Sequence, residues 1–134
     1  MKQVTVCIER GTDGKYSAYP AGNVCEFGCI GEGSTARATE EDFLAGVEDM
    51  KRVYEKEGRP FPEYSFRFRY DIASFLNYYA YALSLAGLER ITGVNQRQLS
   101  HYATGVRRPS RATVQRIEKG VKAFAEEISH VCFL

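Results

Sequence analysis

The stretch "GVNQRQLSHYATGVRRPS", Gly93–Ser110, decides how this chain is read. With Asn95 opening a helix, Leu99, Tyr102 and Ala103 share one side, and Arg97, His101 and Thr104 point the other way. Gly105 stops that helix, and Arg107 and Arg108 follow at once. A short helix anchored on one side and lined with arginine, glutamine and histidine on the other is built to touch something polar.

Working outward, the preceding residues supply a partner helix. Ser84 can cap "LAGLERIT", and Gly93 suits the left-handed backbone of a sharp turn. Val94 plugs the turn. Two short helices joined by a glycine turn predict a helix-turn-helix. Its second helix, Gln96 to about Ala103, then presents side chains that read base edges. Arginine can donate twice to guanine, and glutamine can pair both amide groups with adenine. On this reading Gln96, Arg97 and His101 face bases, flanked by Asn95, Gln98 and Ser100. Arg107, Arg108 and Arg111 meet phosphates, and the hydroxyl of Ser84 can add a neutral bond. Pro109 and Ser110 start a last helix with an apolar edge of Val114, Ile117, Val121, Phe124 and Ile128. Upstream, Asp71 is expected to cap a helix carrying Ile72, Phe75, Leu76, Tyr79 and Leu83.

Charge agrees with this placement. Residues 1–63 carry 8 Lys+Arg against 12 Asp+Glu, and residues 64–134 carry 10 against 5. Arg90 to Lys122 holds eight bases and one acid, Glu118. The basic half therefore suits a polyanion and the acidic half does not.

The first half switches to strand periodicity. "QVTVCIER" alternates Val4, Val6 and Ile8 with Gln3, Thr5 and Cys7. "GTDG" turns the chain, "KYSAYP" returns, and "GCIGEG" is a third strand thinned by glycines. A helix follows, capped at Ser34, Thr35 or a Thr39–Asp42 capping box, with Phe43, Val47, Met50 and Tyr54 as its buried stripe. Glu40, Glu41 and Asp42 suit its positive end. Gly58, Pro60 and Pro62 end it. "YSFRFRY" then sets Tyr64, Phe66, Phe68 and Tyr70 on one face of a strand and Arg67 and Arg69 on the other.

Several function classes fall away. Glu9, Asp13 and Glu32 assemble no carboxylate pair, no His lies in the first half, and the glycines lack a nucleotide-binding spacing. No catalytic residue and no cofactor are expected. Cys7, Cys25, Cys29 and Cys132 lack paired C-x2-C spacing, so reduced thiols are expected rather than a metal site. No apolar run approaches the ~20 residues of a membrane span. The alternating start lacks a signal-peptide core, so the expected location is cytoplasmic.

Leu83–Ser110 resembles the Cro/repressor class of helix-turn-helix domains, and "RITGVNQRQLSHYATGVRRPS" resembles the version fused to HicB-family antitoxins. The order of the first half, through "GCIGEGST" into an acidic helix and a closing strand, is similar to HicB domains. The resemblance implies an α+β chain of two domains. Residues 1–70 form a small RNase H-like antiparallel sheet with one helix, for partner binding. Residues 71–134 form an all-α, lambda-repressor-like DNA-binding domain. It implies an antitoxin of a type II toxin–antitoxin system that masks a HicA-like mRNA-cleaving toxin. Such a protein represses its own operon as a homodimer or higher even oligomer on double-stranded operator DNA. A solitary regulator whose HicB-like domain serves another protein or ligand is the alternative. The tail "HVCFL" is expected to add a strand, across the dimer or onto the sheet.

Overall fold

The computed structural model describes residues 1–134 and shows an α+β chain of two compact units, Met1–Asp71 and Ile72–Leu134. No helix is long and apolar enough to cross a membrane.

In the first unit, β1 (Lys2–Arg10) and β2 (Tyr16–Pro20) form a hairpin, followed by β3 (Gly31–Gly33), helix α1 (Ala36–Lys56) and β4 (Tyr64–Tyr70). The hairpin closes where Gly14 takes φ 82°, and Asp13 Oδ1 accepts from the Lys15 amide at 3.0 Å. Strand order is β3-β2-β1-β4. The first three strands are antiparallel, but β4 runs parallel to β1, pairing Val4 with Phe66 and Val6 with Phe68. The sheet is therefore mixed, not antiparallel as expected. The cause is α1, which carries the chain back to the end of the sheet where β1 began.

Alternation does its work on β1, where Val4, Val6 and Ile8 are fully buried. Phe43 of α1 meets Phe66 and Phe68 edge-on, at 5.3 and 5.8 Å between centroids. The thin third strand has a steric reason. A Cβ on Gly31 would lie 2.7 Å from Phe43 Cβ, and one on Gly33 would lie 2.9 Å from Thr39 Oγ1. Only glycines let α1 pass so close, and β3 is shorter than the stretch expected to form it.

The start of α1 resolves the open choice of caps. Thr35 Oγ1 accepts from the Ala38 amide at 3.0 Å, and Thr39 is buried one turn later with its hydroxyl on Thr35 O. Asp42 is then too far along to cap anything on its own helix. Its Oδ2 instead accepts from the Glu32 amide at 2.8 Å and ties α1 to β3.

The second unit holds α2 (Ile72–Tyr78), a 3-10 turn (Tyr79–Tyr81), α3 (Leu85–Thr92), α4 (Gln96–Thr104) and α5 (Arg111–Ser129). Leu76, Leu88, Val94, Leu99, Tyr102 and Ile117 form its core, one to two residues from each helix and one from the turn. Asp71 stands directly ahead of α2: its amide donates to Ile8 O at 3.3 Å, and its Oδ1 is buried with no hydrogen-bond partner.

Within the single chain, the tail does not add the strand expected of it on the sheet. Val131–Leu134 carry no strand. A strand exists only through ladder bonds, and the backbone bonds here are His130 N to Glu127 O and Val131 N to Ile128 O, which tighten the end of α5 instead.

Candidate nucleic-acid interface

The interface candidate is α3, the turn Gly93–Asn95 and α4. Ser84 caps α3, its Oγ accepting from the Gly87 amide at 3.0 Å. Gly93 leaves the helix at φ 73° and returns its amide to Glu89 O at 2.8 Å. Val94 is buried at the bend, and its amide donates to Thr92 Oγ1. Asn95 then caps α4, with Oδ1 accepting from the Arg97 amide at 2.7 Å.

Period 3.6 sorts most of α4 as the sequence predicts, but His101, expected on the open side with Arg97 and Thr104, is partly covered. Leu99 and Tyr102 are buried; Asn95, Gln96, Arg97 and Gln98 are exposed, and Ser100 and His101 are half-buried. Gly105 terminates α4 at φ 80°. Arg107, Arg108 and Arg111 are all exposed beyond it, and Ser110 caps α5 through the Thr113 amide at 3.2 Å. Ser84 and Asn95 thus spend one acceptor each on backbone amides. The Ser84 hydroxyl proton and the Asn95 amide donors point to no partner within the unit.

Three polar contacts that the sequence reading missed fasten α4. Glu89 Oε1, on α3, accepts from the Gln96 amide at 3.2 Å. At the other end Asn77 Nδ2, on α2, donates to Ala103 O at 2.8 Å and to Ala73 O at 2.7 Å. Arg116 Nη2, on α5, donates to Gly93 O at 2.8 Å and holds the bend. Glu89 lies midway along α3, seven residues before Gln96, and its place at the positive end of α4 shows only once the two helices are folded together. Asn77 and Arg116 carried no signal, because their partners lie 26 and 23 residues away.

The arrangement presents exposed donors on a held helix. Arg97 and Gln96 lie on the first turn of a helix whose far side is locked into the core, and a cationic loop follows. No acid of the unit forms an ion pair with Arg97, Arg107, Arg108 or Arg111; the salt bridges of this unit are Lys122–Glu118 and His130–Glu126.

The first unit offers less chemistry. Glu9 is exposed and accepts the Tyr19 phenol proton at 2.5 Å, while Glu32 sits apart on β3. No three His, Cys, Asp or Glu side chains converge in metal-holding geometry. Burial pushes the Cys7, Cys25 and Cys29 thiols up, and Cys29 donates to Phe43 O. Cys25 and Cys29 line an open recess of about 460 Å³ with Tyr19, Asn23, Phe27 and Ile30. Protonated thiols there are weak nucleophiles and weak ligands. In comparisons with known protein families, curated proteins and solved structures, nothing matches this chain.

Proposed function

We propose that this chain is a DNA-binding repressor and antitoxin. Its second unit acts as a helix-turn-helix of the lambda-repressor kind, and its first unit as a HicB-like, partial RNase H-like domain that masks a HicA-like toxin. One observation carries the reading. Arg97 and Gln96 stand exposed on a helix whose opposite side, Leu99 and Tyr102, is buried, directly ahead of three unpaired arginines. That is a base-reading row followed by a phosphate-binding loop.

In operation the cations draw the unit to the duplex and set its register, and α4 enters the major groove. Arg97 and Gln96 then discriminate bases, with His101 one turn further along. Two copies on a palindrome would occupy half-sites about one helical turn apart and exclude polymerase from the operon. The element order β1-β2-β3-α1-β4 supports the HicB-like reading of the first unit, because it is the order the resemblance implies. The protein would work in the cytosol.

The test is fluorescence anisotropy on DNA from upstream of the protein's own gene. Arg97→Ala should cost about 1–3 kcal/mol on the cognate site and relax the preference at one base. Arg107→Ala or Arg108→Ala should weaken binding to every sequence and reduce the salt slope by about 1. An Arg97→Ala protein that keeps both affinity and preference refutes the base-reading assignment. Pull-down from native lysate separates the two versions of the function: a small basic ribonuclease in the complex marks an antitoxin, and operator binding without one marks a solitary regulator.

A further inference from the structure

The two edges of the sheet are finished differently. Strand order β3-β2-β1-β4 leaves β3 and β4 outermost. The β3 edge is three residues long, and the Glu32 amide on it is already taken by Asp42 Oδ2 at 2.8 Å. The β4 edge is seven residues long. Its ladder to β1 has a fixed phase. At one end the Lys2 amide donates to Glu63 O at 2.8 Å, and at the other the Asp71 amide donates to Ile8 O at 3.3 Å. In a parallel pair alternate residues of a strand bond a given neighbour, so Ser65, Arg67 and Arg69 bond β1. The N–H and C=O groups of Phe66 and Phe68 therefore point away from the sheet, and no group of the chain bonds them.

The side chains of this edge are also left open. Phe66 and Phe68 lie on the α1 side, where Phe43 meets them, yet both stay half-buried while Val4, Val6 and Ile8 one strand inward are fully buried. Arg67 and Arg69 stand exposed on the opposite face, beside Thr5 and Cys7 of β1. Neither arginine forms an ion pair; the salt bridges of this unit all join other residues.

We infer that an extended segment of another protein, with alternating acidic and apolar residues, adds to the β4 edge as a further strand. The open backbone groups of Phe66 and Phe68 supply the hydrogen bonds, and a side-chain period of two supplies specificity. One face of the incoming strand lies beside Arg67 and Arg69, which repeat about every 7 Å, and acids at alternate positions match that repeat. The residues between those acids fall beside the half-open rings of Phe66 and Phe68, where apolar side chains leave water.

Charge sets aside the nearer occupants. Two copies of β4 meeting edge to edge in antiparallel would set arginines of one against arginines of the other on the same face. No other segment of this chain fits either. Its acids two residues apart are Glu40–Asp42 and Glu55–Glu57, with Glu41 and Lys56 between them where an apolar residue is needed. A nucleic acid would satisfy the arginines but leave the edge amides and the rings uncovered. The inference goes beyond the proposed function: a basic toxin brings like charge to this edge, so the segment belongs to a further partner. No residue that it uses enters the operator assay.

The probe is the capped peptide Ser-Val-Glu-Val-Glu-Val-Ser, titrated into the full chain and read by hydrogen–deuterium exchange at single amides. In the free chain the Phe66 and Phe68 amides should exchange faster than those of Arg67 and Arg69, which β1 already holds. Added peptide should slow Phe66 and Phe68 by about tenfold or more, at concentrations below about 1 mM. The same peptide with Lys for both Glu should bind at least about tenfold more weakly. An Arg67→Glu, Arg69→Glu double variant should lose the original peptide to a similar degree with unchanged circular dichroism; if it fails to fold, the Lys peptide decides alone. No slowing in that concentration range overturns the inference, as does equal binding of the Lys peptide or protection confined to other residues. Protection of Phe66 and Phe68 in concentrated chain without peptide also overturns it, because a second copy would then be the occupant.

Discussion

Gly120 shows how one residue can set the spacing of two helices. A Cβ there would sit 2.7 Å from Thr92 Cα, against backbone that no rotamer can move aside. Gly120→Ala should therefore force α5 away from α3 and cost about 1–3 kcal/mol, read as a lowered melting temperature. Gly93→Ala differs in kind. Its neighbour is the guanidinium of Arg116, 2.9 Å from the added carbon, which can swing off, but φ 73° remains strained for a side chain. The expected cost is about 1–2 kcal/mol, with loss of the Arg116 contact. Gly93 could be recognised in the sequence because it sits between two helical patterns. Gly120 could not: within "RIEKGVKAF" it reads only as a helix-weakening residue, and the backbone it touches belongs to another helix.

At the scale of elements, α4 depends on side chains from its neighbours. Glu89→Ala removes the acceptor at the Gln96 amide, and Asn77→Ala removes the donor at Ala103 O. Each should cost about 1 kcal/mol of stability. Glu89→Ala should also speed amide hydrogen exchange at Gln96 before it affects the rest of the unit. A Glu89→Ala protein whose Gln96 amide exchanges as slowly as the wild type would show that the contact holds nothing. The caps at Ser84, Asn95 and Ser110 were legible from the sequence because each is a polar residue immediately ahead of an apolar period. The Thr35 cap was harder, since Ser34, Thr35 and Thr39 all qualify, and only the bond from the Ala38 amide to Thr35 and the burial of Thr39 separate them. The parallel β4 and the missing tail strand were illegible for a common reason. Alternation tells which residues form a strand, not which strand lies beside it or in what direction.

For the whole molecule, the titrating groups of the first unit make one prediction. Burial raises the thiols of Cys7, Cys25 and Cys29. The Glu9 carboxylate, which accepts its proton, raises Tyr19, and the bond to Glu26 raises Lys2. Each group holds its proton more tightly folded than unfolded. The stability they give is complete below the unfolded thiol value, about 8.5, and is lost as pH climbs through the folded values. Thermal melts should thus fall progressively above that pH, and a melting temperature that is flat to strongly alkaline pH would contradict the assignment. In the same unfolded-versus-folded sense, iodoacetamide should label exposed Cys132 before buried Cys29.

Because α4 is pinned by Asn77, Glu89 and Arg116 before anything binds, docking would require no coil-to-helix transition. Its calorimetric signature should then be the modest negative heat-capacity change of drying a preformed surface, without the large excess that accompanies folding on contact. On the proposed DNA-binding reading, encounter would be governed by ionic attraction, and a helix that arrives already shaped would sample many wrong sequences briefly and leave them quickly.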